Sequence, residues 1–306
     1  MKKQVNVYEM VTNRVIEQLE QGIIPWSKPW MLTGCEEALA ISYASRKPYS
    51  FLNQLLLGRN GEWLTFPQIE ALNGRVKKGA KASFVVFYKR YVKKEMVTDE
   101  NGNEVEKTKA IPVLKHFNVF HIEDCEGIDS KIIPAELPEQ PEDELEPVEM
   151  AEAVVKGYLS TQQSLRLRND RPSDNAHYSP MFDEVVVPMM KQYKVVDEYY
   201  STLFHELVHS TGTKERCARP ELYTINHFGS KDYSREELVA ELGAQMLCHK
   251  TGISGEAAFK NSVAYIGGWV KKLKEDTKAI VWAASRAEKA ARYILGEVVN
   301  EPENVI

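Results

Sequence analysis

The residues best suited to chemistry stand at His205-Glu206-Leu207-Val208-His209. On a helix, side chains four apart stack on one face. The imidazoles of His205 and His209 can therefore meet one ion at about 2.0–2.1 Å. Glu206 sits one step around, where it can take a proton from water that the ion activates. The flanks suit a helix over 197–211. Asp197 and Glu198 precede the motif, Leu203, Phe204, Leu207 and Val208 give apolar surface, and Gly212 offers a cap. The bland alternative is two surface histidines.

Two histidines do not complete a zinc site; a catalytic one needs a third protein ligand and an open position. Downstream lies Ser234-Arg235-Glu236-Glu237-Leu238-Val239-Ala240-Glu241. Its segment from Glu237 to Glu241 resembles the third-ligand helix of gluzincin metallopeptidases. That resemblance implies Glu237 as metal ligand and Glu241 as the acid that holds a ligand histidine in its tautomer. Glu236 and Glu241 remain alternative ligands, and His227 is a further one. Ser234-x-x-Glu237 also fits a capping box, with Glu237 reaching back to the Ser234 backbone. Tyr178, Tyr223 or His227 could donate a hydrogen bond in the site. The expected ion is Zn²⁺, with Mn²⁺ or another divalent metal as alternatives that sequence does not separate.

The elements that must position these groups follow from periodicity. Helices are expected over about 148–163, 197–211, 234–250, 255–275 and 276–297, and short strands within 176–187. The last two helices carry Val263, Ile266, Val270 and Leu273, then Ile280, Ala284, Ala287, Ala291 and Ile294, as core faces. Before them, residues 129–149 hold four prolines and eight acids, which favours an extended tether over a packed core. This divides the chain into domains at 1–128 and 150–306. The first begins with a helix through Val7, Val11, Val15 and Leu19, stopped by Gly22 and Pro25. Short helices are expected at 50–58 and after Thr65. Strands over 83–97 and 111–122, joined by the turn signal Asp99-Glu100-Asn101-Gly102-Asn103, read as a long antiparallel hairpin. The expected class is α+β, with a mainly helical second domain.

Of 306 residues, 43% are hydrophobic and 27% charged, which excludes a mainly disordered chain. No apolar run approaches the ~18–20 residues of a membrane helix. No signal-peptide pattern is read at the N-terminus. Four scattered cysteines, Cys35, Cys125, Cys217 and Cys248, form no CxxC pair and fit a reducing cytoplasm. The net charge of −5 hides an asymmetry: residues 1–128 hold 18 Lys and Arg against 15 Asp and Glu, and the remainder 21 against 29.

Within the first domain, Arg75, Lys77, Lys78, Lys81, Lys89, Arg90, Lys93 and Lys94 are interrupted by no acid and interleaved with Phe84, Phe87, Tyr88 and Tyr91. Cations that track phosphates and rings that stack on bases suit single-stranded nucleic acid. Strand alternation puts Phe87, Lys89, Tyr91 and Lys93 on one face, the expected stacking face, and Phe84, Val86, Tyr88, Arg90 and Val92 on the other. Trp26, Trp30 and Trp63 are either structural indoles or further stacking platforms.

Taken in order, the motifs resemble the ArdC-type antirestriction proteins of conjugative plasmids and transposons. The landmarks are Tyr8-Glu9-x-Val11-Thr12, Gly22-x-x-Pro25-Trp26-x-x-Pro29-Trp30, Trp63-Leu64-Thr65-x-x-Gln68, Val76-Lys77-Lys78-Gly79-x-Lys81 and Phe117-Asn118-Val119-Phe120-His121-Ile122-Glu123. Asp174-x-Ala176-x-Tyr178-x-Pro180-x-x-Asp183, then Tyr199 through Gly212 and Tyr233 through Glu241, complete the set. The resemblance implies a single-stranded-DNA-binding first domain and a zincin-like metallopeptidase second domain. It further implies protection of incoming DNA from host restriction, with a restriction enzyme or DNA-bound protein as a possible target. Two other readings are a metal-containing, non-catalytic DNA-binding protein that acts by occlusion, and a stand-alone intracellular protease.

Overall fold

In the computed structural model, residues 6–27, 39–98, 104–132, 147–222, 231–254 and 263–297 are described. The fold is α+β. The chain begins with α1 (Val7–Glu20), whose N-terminus is capped by the Asn6 side chain accepting from the Tyr8 amide at 3.1 Å. Its apolar face, Val11, Val15, Ile16 and Leu19, is buried. Gly22, at φ +78°, turns the chain out of the helix.

A four-stranded sheet follows, in the order β1-β2-β5-β4, built from β1 (Ala40–Ser42), β2 (Gly61–Thr65), β4 (Ser83–Thr98) and β5 (Glu104–His121). The expected hairpin is β4–β5, paired from Ser83 opposite Val119 out to Thr98 opposite Glu104. Its return strand starts at residue 104 rather than 111, and the turn signal at 99–103 lies outside the described residues. A two-stranded ladder, β3 (Arg75–Val76) with β6 (Cys125–Glu126), sits beside it. Two short helices, α2 (Phe51–Leu57) and α3 (Phe66–Ala71), fall where Leu and Pro spacing place them. All seven residues of α2 are buried, two of them amides. Asn53 bonds both the N–H and the C=O of Val86, at 2.8 and 3.0 Å, and Gln54 does the same for Ala40, at 2.9 Å each. These satisfied amides fix the helix against β4 and β1.

The second half is mainly helical: α4 (Pro147–Thr161), α5 (Val196–Ser210), α6 (Lys231–Thr251), α7 (Val263–Glu275) and α8 (Ala279–Ile294). The expected start of the fourth of these, at 255–262, lies outside the described residues, as do residues 133–146 of the acidic segment. A small sheet of β7 (Arg166–Arg168), β9 (Glu184–Val186) and β8 (His177–Ser179), in that order, flanks α5. The alanines of α8 at 283, 284, 287, 290 and 291 are buried, and small side chains let α6 pack closely against it.

One apolar cluster runs through both halves. It joins Val11, Leu19, Trp26, Leu55 and Leu114 to Leu203, Leu247, Leu273 and Ile280. Polar contacts reinforce it: Thr12 Oγ1 donates to the Thr277 carbonyl at 2.8 Å, and Lys274 pairs with Glu20 at 2.9 Å.

Candidate metal centre

The HExxH segment occupies the last turns of α5, with Leu203, Phe204, Leu207 and Val208 buried against the core. That packing fixes the rotation of the helix and turns His205 and His209 toward α6. The close approach of α6 depends on Gly243: a Cβ there would lie 2.8 Å from Val208 Cγ2 and 3.0 Å from Cγ1. The end of α5 is held by two arginines. Arg216 donates to the Ser210 carbonyl and Arg219 to the Val208 carbonyl, both at 2.7 Å. Gly212, expected to cap the helix end, does not have positive φ. Its lack of a side chain serves close packing instead, since a Cβ would meet Leu222 at 2.9 Å and Arg219 Nη2 at 3.1 Å.

His205, His209 and Glu237 converge, with their ligand atoms within 4.8 Å of one another. The two Nε2 atoms are 3.2 Å apart. Glu237 Oε2 lies 3.7 Å from His205 Nε2, and Oε1 lies 3.6 Å from His209 Nε2. A tetrahedral shell with bonds of about 2.0–2.1 Å has ligand-to-ligand edges of roughly 3.4 Å, so the three groups match one face of such a shell. The other acids point elsewhere. Glu236 approaches His209 Nδ1 at 3.2 Å, and Glu241 approaches His205 Nδ1 at 3.8 Å. Each histidine thus presents Nε2 to the centre and backs its Nδ1 onto a carboxylate, the arrangement that sets tautomer and orientation at metal sites. Ser234 lies inside the first turn of α6 rather than before it, and Glu237 faces the histidines, so the capping-box geometry is absent.

The electrostatics favour a cation. Glu206 is buried beside the pair. Burial disfavours a charged His205, yet the adjacent Glu237 carboxylate and the nearby Glu206 and Glu241 carboxylates push it up to about 9. Burial likewise works against ionised Glu237, but His205, His209 and Tyr233 hold it down at about 2. Glu236 is neutralised from outside: Arg219 binds it through Nε at 2.9 Å and Nη2 at 2.7 Å, while Nη1 donates to Thr211 Oγ1 at 2.7 Å. Arg219 is 2% exposed and went unread in the sequence. Tyr178 donates to Asp183 Oδ1 at 2.8 Å within an Arg216–Asp183 cluster. Tyr223 and His227 lie outside the described residues.

On the hairpin, alternation puts Phe87, Lys89 and Tyr91 on one face as expected. Register adds Lys115 and Phe117 of β5 to that face, two residues that local pattern did not single out. Tyr91 is 39% exposed and Phe117 38%, with Lys115 Nζ 5.1 Å and Lys89 Nζ 6.0 Å from the Tyr91 ring. Phe87 is half-buried against Tyr49 and Phe117. Lys77, Lys78 and Lys81 are exposed in the turn between β3 and β4. The side chains of Arg90 and Lys93, and the whole of Trp30, lie outside the described residues. Trp26 is corrected: it is 0% exposed, packed edge to face on Trp269 at 6.2 Å, and presents no ring to a base. Trp63 is also buried, with its Nε1 donating to the Arg59 carbonyl at 3.2 Å.

Comparison with known proteins agrees with both halves. Residues 5–120 match the N-terminal domain of anti-restriction factor ArdC, and residues 157–286 match a zincin-like metallopeptidase domain. Two DNA primases TraC of Escherichia coli are 30% and 31% identical over 94% of this chain, which spans only 20% and 27% of their lengths. An uncharacterised protein of Sinorhizobium fredii, y4eC, is 29% identical, with 98% of this chain and 95% of that protein covered. The metal-free crystal structure of antirestriction ArdC from plasmid R388 superposes with a TM-score of 0.64 at 29% identity, over 95% of this chain and 97% of that one. Its Mn(II)-bound structure gives 0.64 at 28%, over 97% and 100%. With an ArdC first domain, a zincin-like second domain and this full-length likeness, the chain belongs to the ArdC family of antirestriction proteins.

Proposed function

We propose that this protein is an antirestriction factor of a mobile element that binds single-stranded DNA through its hairpin face and carries a metal-dependent peptidase-like site. The observation that carries the reading is the convergence of His205, His209 and Glu237. These three would hold the ion, Zn²⁺ or Mn²⁺, and the Mn(II)-bound R388 relative supports a divalent metal. When bound, the ion would polarise a peptide carbonyl and acidify water. Glu206 is the general base: it takes the proton of the attacking water and returns it to the leaving amine nitrogen. Glu241 and Glu236 keep the two imidazoles oriented.

On the hairpin, Lys89 and Lys115 would meet phosphates while Tyr91 and Phe117 stack on bases. Together the domains would bring a peptidase-like site to DNA-bound proteins, a host restriction enzyme among them, and protect incoming DNA. Cys125, Cys217 and Cys248 are buried free thiols, which supports a reducing cytoplasm as the place of action. No described helix is long and apolar enough to cross a membrane.

The deciding experiment is Glu206→Ala in a conjugation assay with a restricting recipient, alongside metal analysis. Protection lost while metal is retained supports the catalytic reading. Protection kept with metal retained would refute it and leave occlusion of the DNA.

A further inference from the structure

The support of the metal centre does not end at the carboxylate behind His205. Glu241 has two oxygens with two partners: Oε2 faces His205 Nδ1 at 3.8 Å, and Oε1 accepts a hydrogen bond from the Tyr265 hydroxyl on α7. The Tyr265 ring in turn packs against the apolar cluster that holds Trp26 and Trp269, and Trp269 follows it by one turn on α7. The two indoles meet edge to face at 6.2 Å. Trp26 comes from the other half of the chain, in the helical turn Pro25–Ser27 that follows α1, and this turn contacts α6 directly. Packing and polar contacts therefore lead from the first domain to His205 through Trp26, Trp269, Tyr265 and Glu241. Trp26 is fully buried and Trp269 8% exposed, so neither ring has room to swing aside.

We propose that Tyr265 is a positioning residue for His205, acting through Glu241, and that Trp26 is the first domain's contribution to the metal centre. The inference rests on the metal reading of the site. A carboxylate behind a ligand histidine must be held itself, because a free Glu rotamer can turn its oxygens away from Nδ1. Tyr265 fixes one oxygen and thereby aims the other. The apolar cluster around Trp26 and Trp269 confines the Tyr265 ring. Trp26, which the sequence leaves open as a structural indole or a stacking platform, packs between the two halves of the chain.

The test measures Zn²⁺ and Mn²⁺ affinity of the full-length protein by chelator competition, for wild type, Tyr265→Phe, Trp26→Phe and the double variant. Loss of an outer partner of a metal ligand costs roughly 10–100-fold in affinity. The expected result is about a 10-fold loss for Tyr265→Phe, a smaller loss for Trp26→Phe, and a double variant weakened by less than the product of the two, since one line of contacts is broken twice. Leu64→Ala is the control. Leu64 belongs to a separate apolar cluster, so this change lowers stability and leaves metal affinity at the wild-type value. Wild-type affinity in Tyr265→Phe would overturn the proposal. If Trp26→Phe, like the control, shifts only the unfolding midpoint, the first domain has no part in the site. Failure of wild type to bind either metal, with the fold intact, would defeat the metal reading itself.

Discussion

Gly243 is where a single methyl group should separate the fold from the site. The Cβ of Gly243→Ala would stand 2.8 Å from Val208 Cγ2, whereas ordinary contacts begin at 3.4 Å, so α6 and α5 must part by roughly 0.6 Å. Val208 is fully buried and immediately precedes His209, so it has little freedom to yield. Two terms oppose each other in stability. Alanine is favoured over glycine in a helix interior by about 1 kcal/mol, and overpacking costs about 1–3 kcal/mol. The net loss is therefore about 0–2 kcal/mol, readable as a modest fall in the urea midpoint. The metal site has no such compensation. Metal–ligand distances tolerate about 0.2 Å, and Glu237 rides on α6, so metal affinity should fall about tenfold. Relieving the clash with Val208→Ala in the same chain should restore affinity while leaving stability reduced, because a buried valine has been truncated. Isothermal titration with Zn²⁺ on the two single variants and the double variant checks this. Wild-type affinity in Gly243→Ala would refute the claim that α5–α6 spacing sets the site.

Arg219→Met leaves the buried Glu236 carboxylate without its guanidinium and should destabilise the fold by about 3–5 kcal/mol, whereas Arg219→Met with Glu236→Leu should recover much of that loss in chemical denaturation. Burial alone would raise Asp183, but Arg216, Ser164 and Tyr178 draw it below the usual carboxylate range. With the folded value depressed, its contribution is full above the unfolded value of about 4 and is lost as pH falls through the folded value. Asp183→Asn should therefore lower the melting temperature at pH 7 and flatten its fall below about pH 4, as followed by circular dichroism. On the hairpin, Lys89→Ala with Lys115→Ala should reduce the slope of log affinity against log salt by about 1.4 for single-stranded oligonucleotides, at about 0.7 per phosphate contact. Tyr91→Ala should weaken binding by about 1–3 kcal/mol with little change in that slope.

Much of this architecture could be read from local pattern because its causes are local. The i, i+4 histidines, the carboxylates of α6 and the period of α5 each depend on residues within a few turns. The hairpin was legible from its Val, Phe and Tyr content, and β alternation correctly separated Phe87, Lys89 and Tyr91 from Tyr88. What escaped depended on contacts between distant segments. Lys115 and Phe117 join the stacking face only through strand register. Arg219 and Tyr265 matter because each meets a carboxylate from another element, and an isolated arginine or tyrosine carries no sign of that. Trp26 beside a proline reads the same whether its ring faces solvent or a second indole; the packing of α1 onto α7 and α8 decided it. Ser234-x-x-Glu237 fits a capping box by spacing, but α6 begins three residues earlier, which turns Glu237 toward the histidines instead.

The most direct test of the metal centre is anomalous diffraction from crystals soaked in Zn²⁺ or Mn²⁺, with data collected at the metal edge. One peak between α5 and α6, within about 2.3 Å of His205 Nε2, His209 Nε2 and a Glu237 oxygen, is the predicted result. A well-ordered, soaked crystal with no peak there, or with the ion bound by Glu236 or Glu241 instead of Glu237, would contradict it.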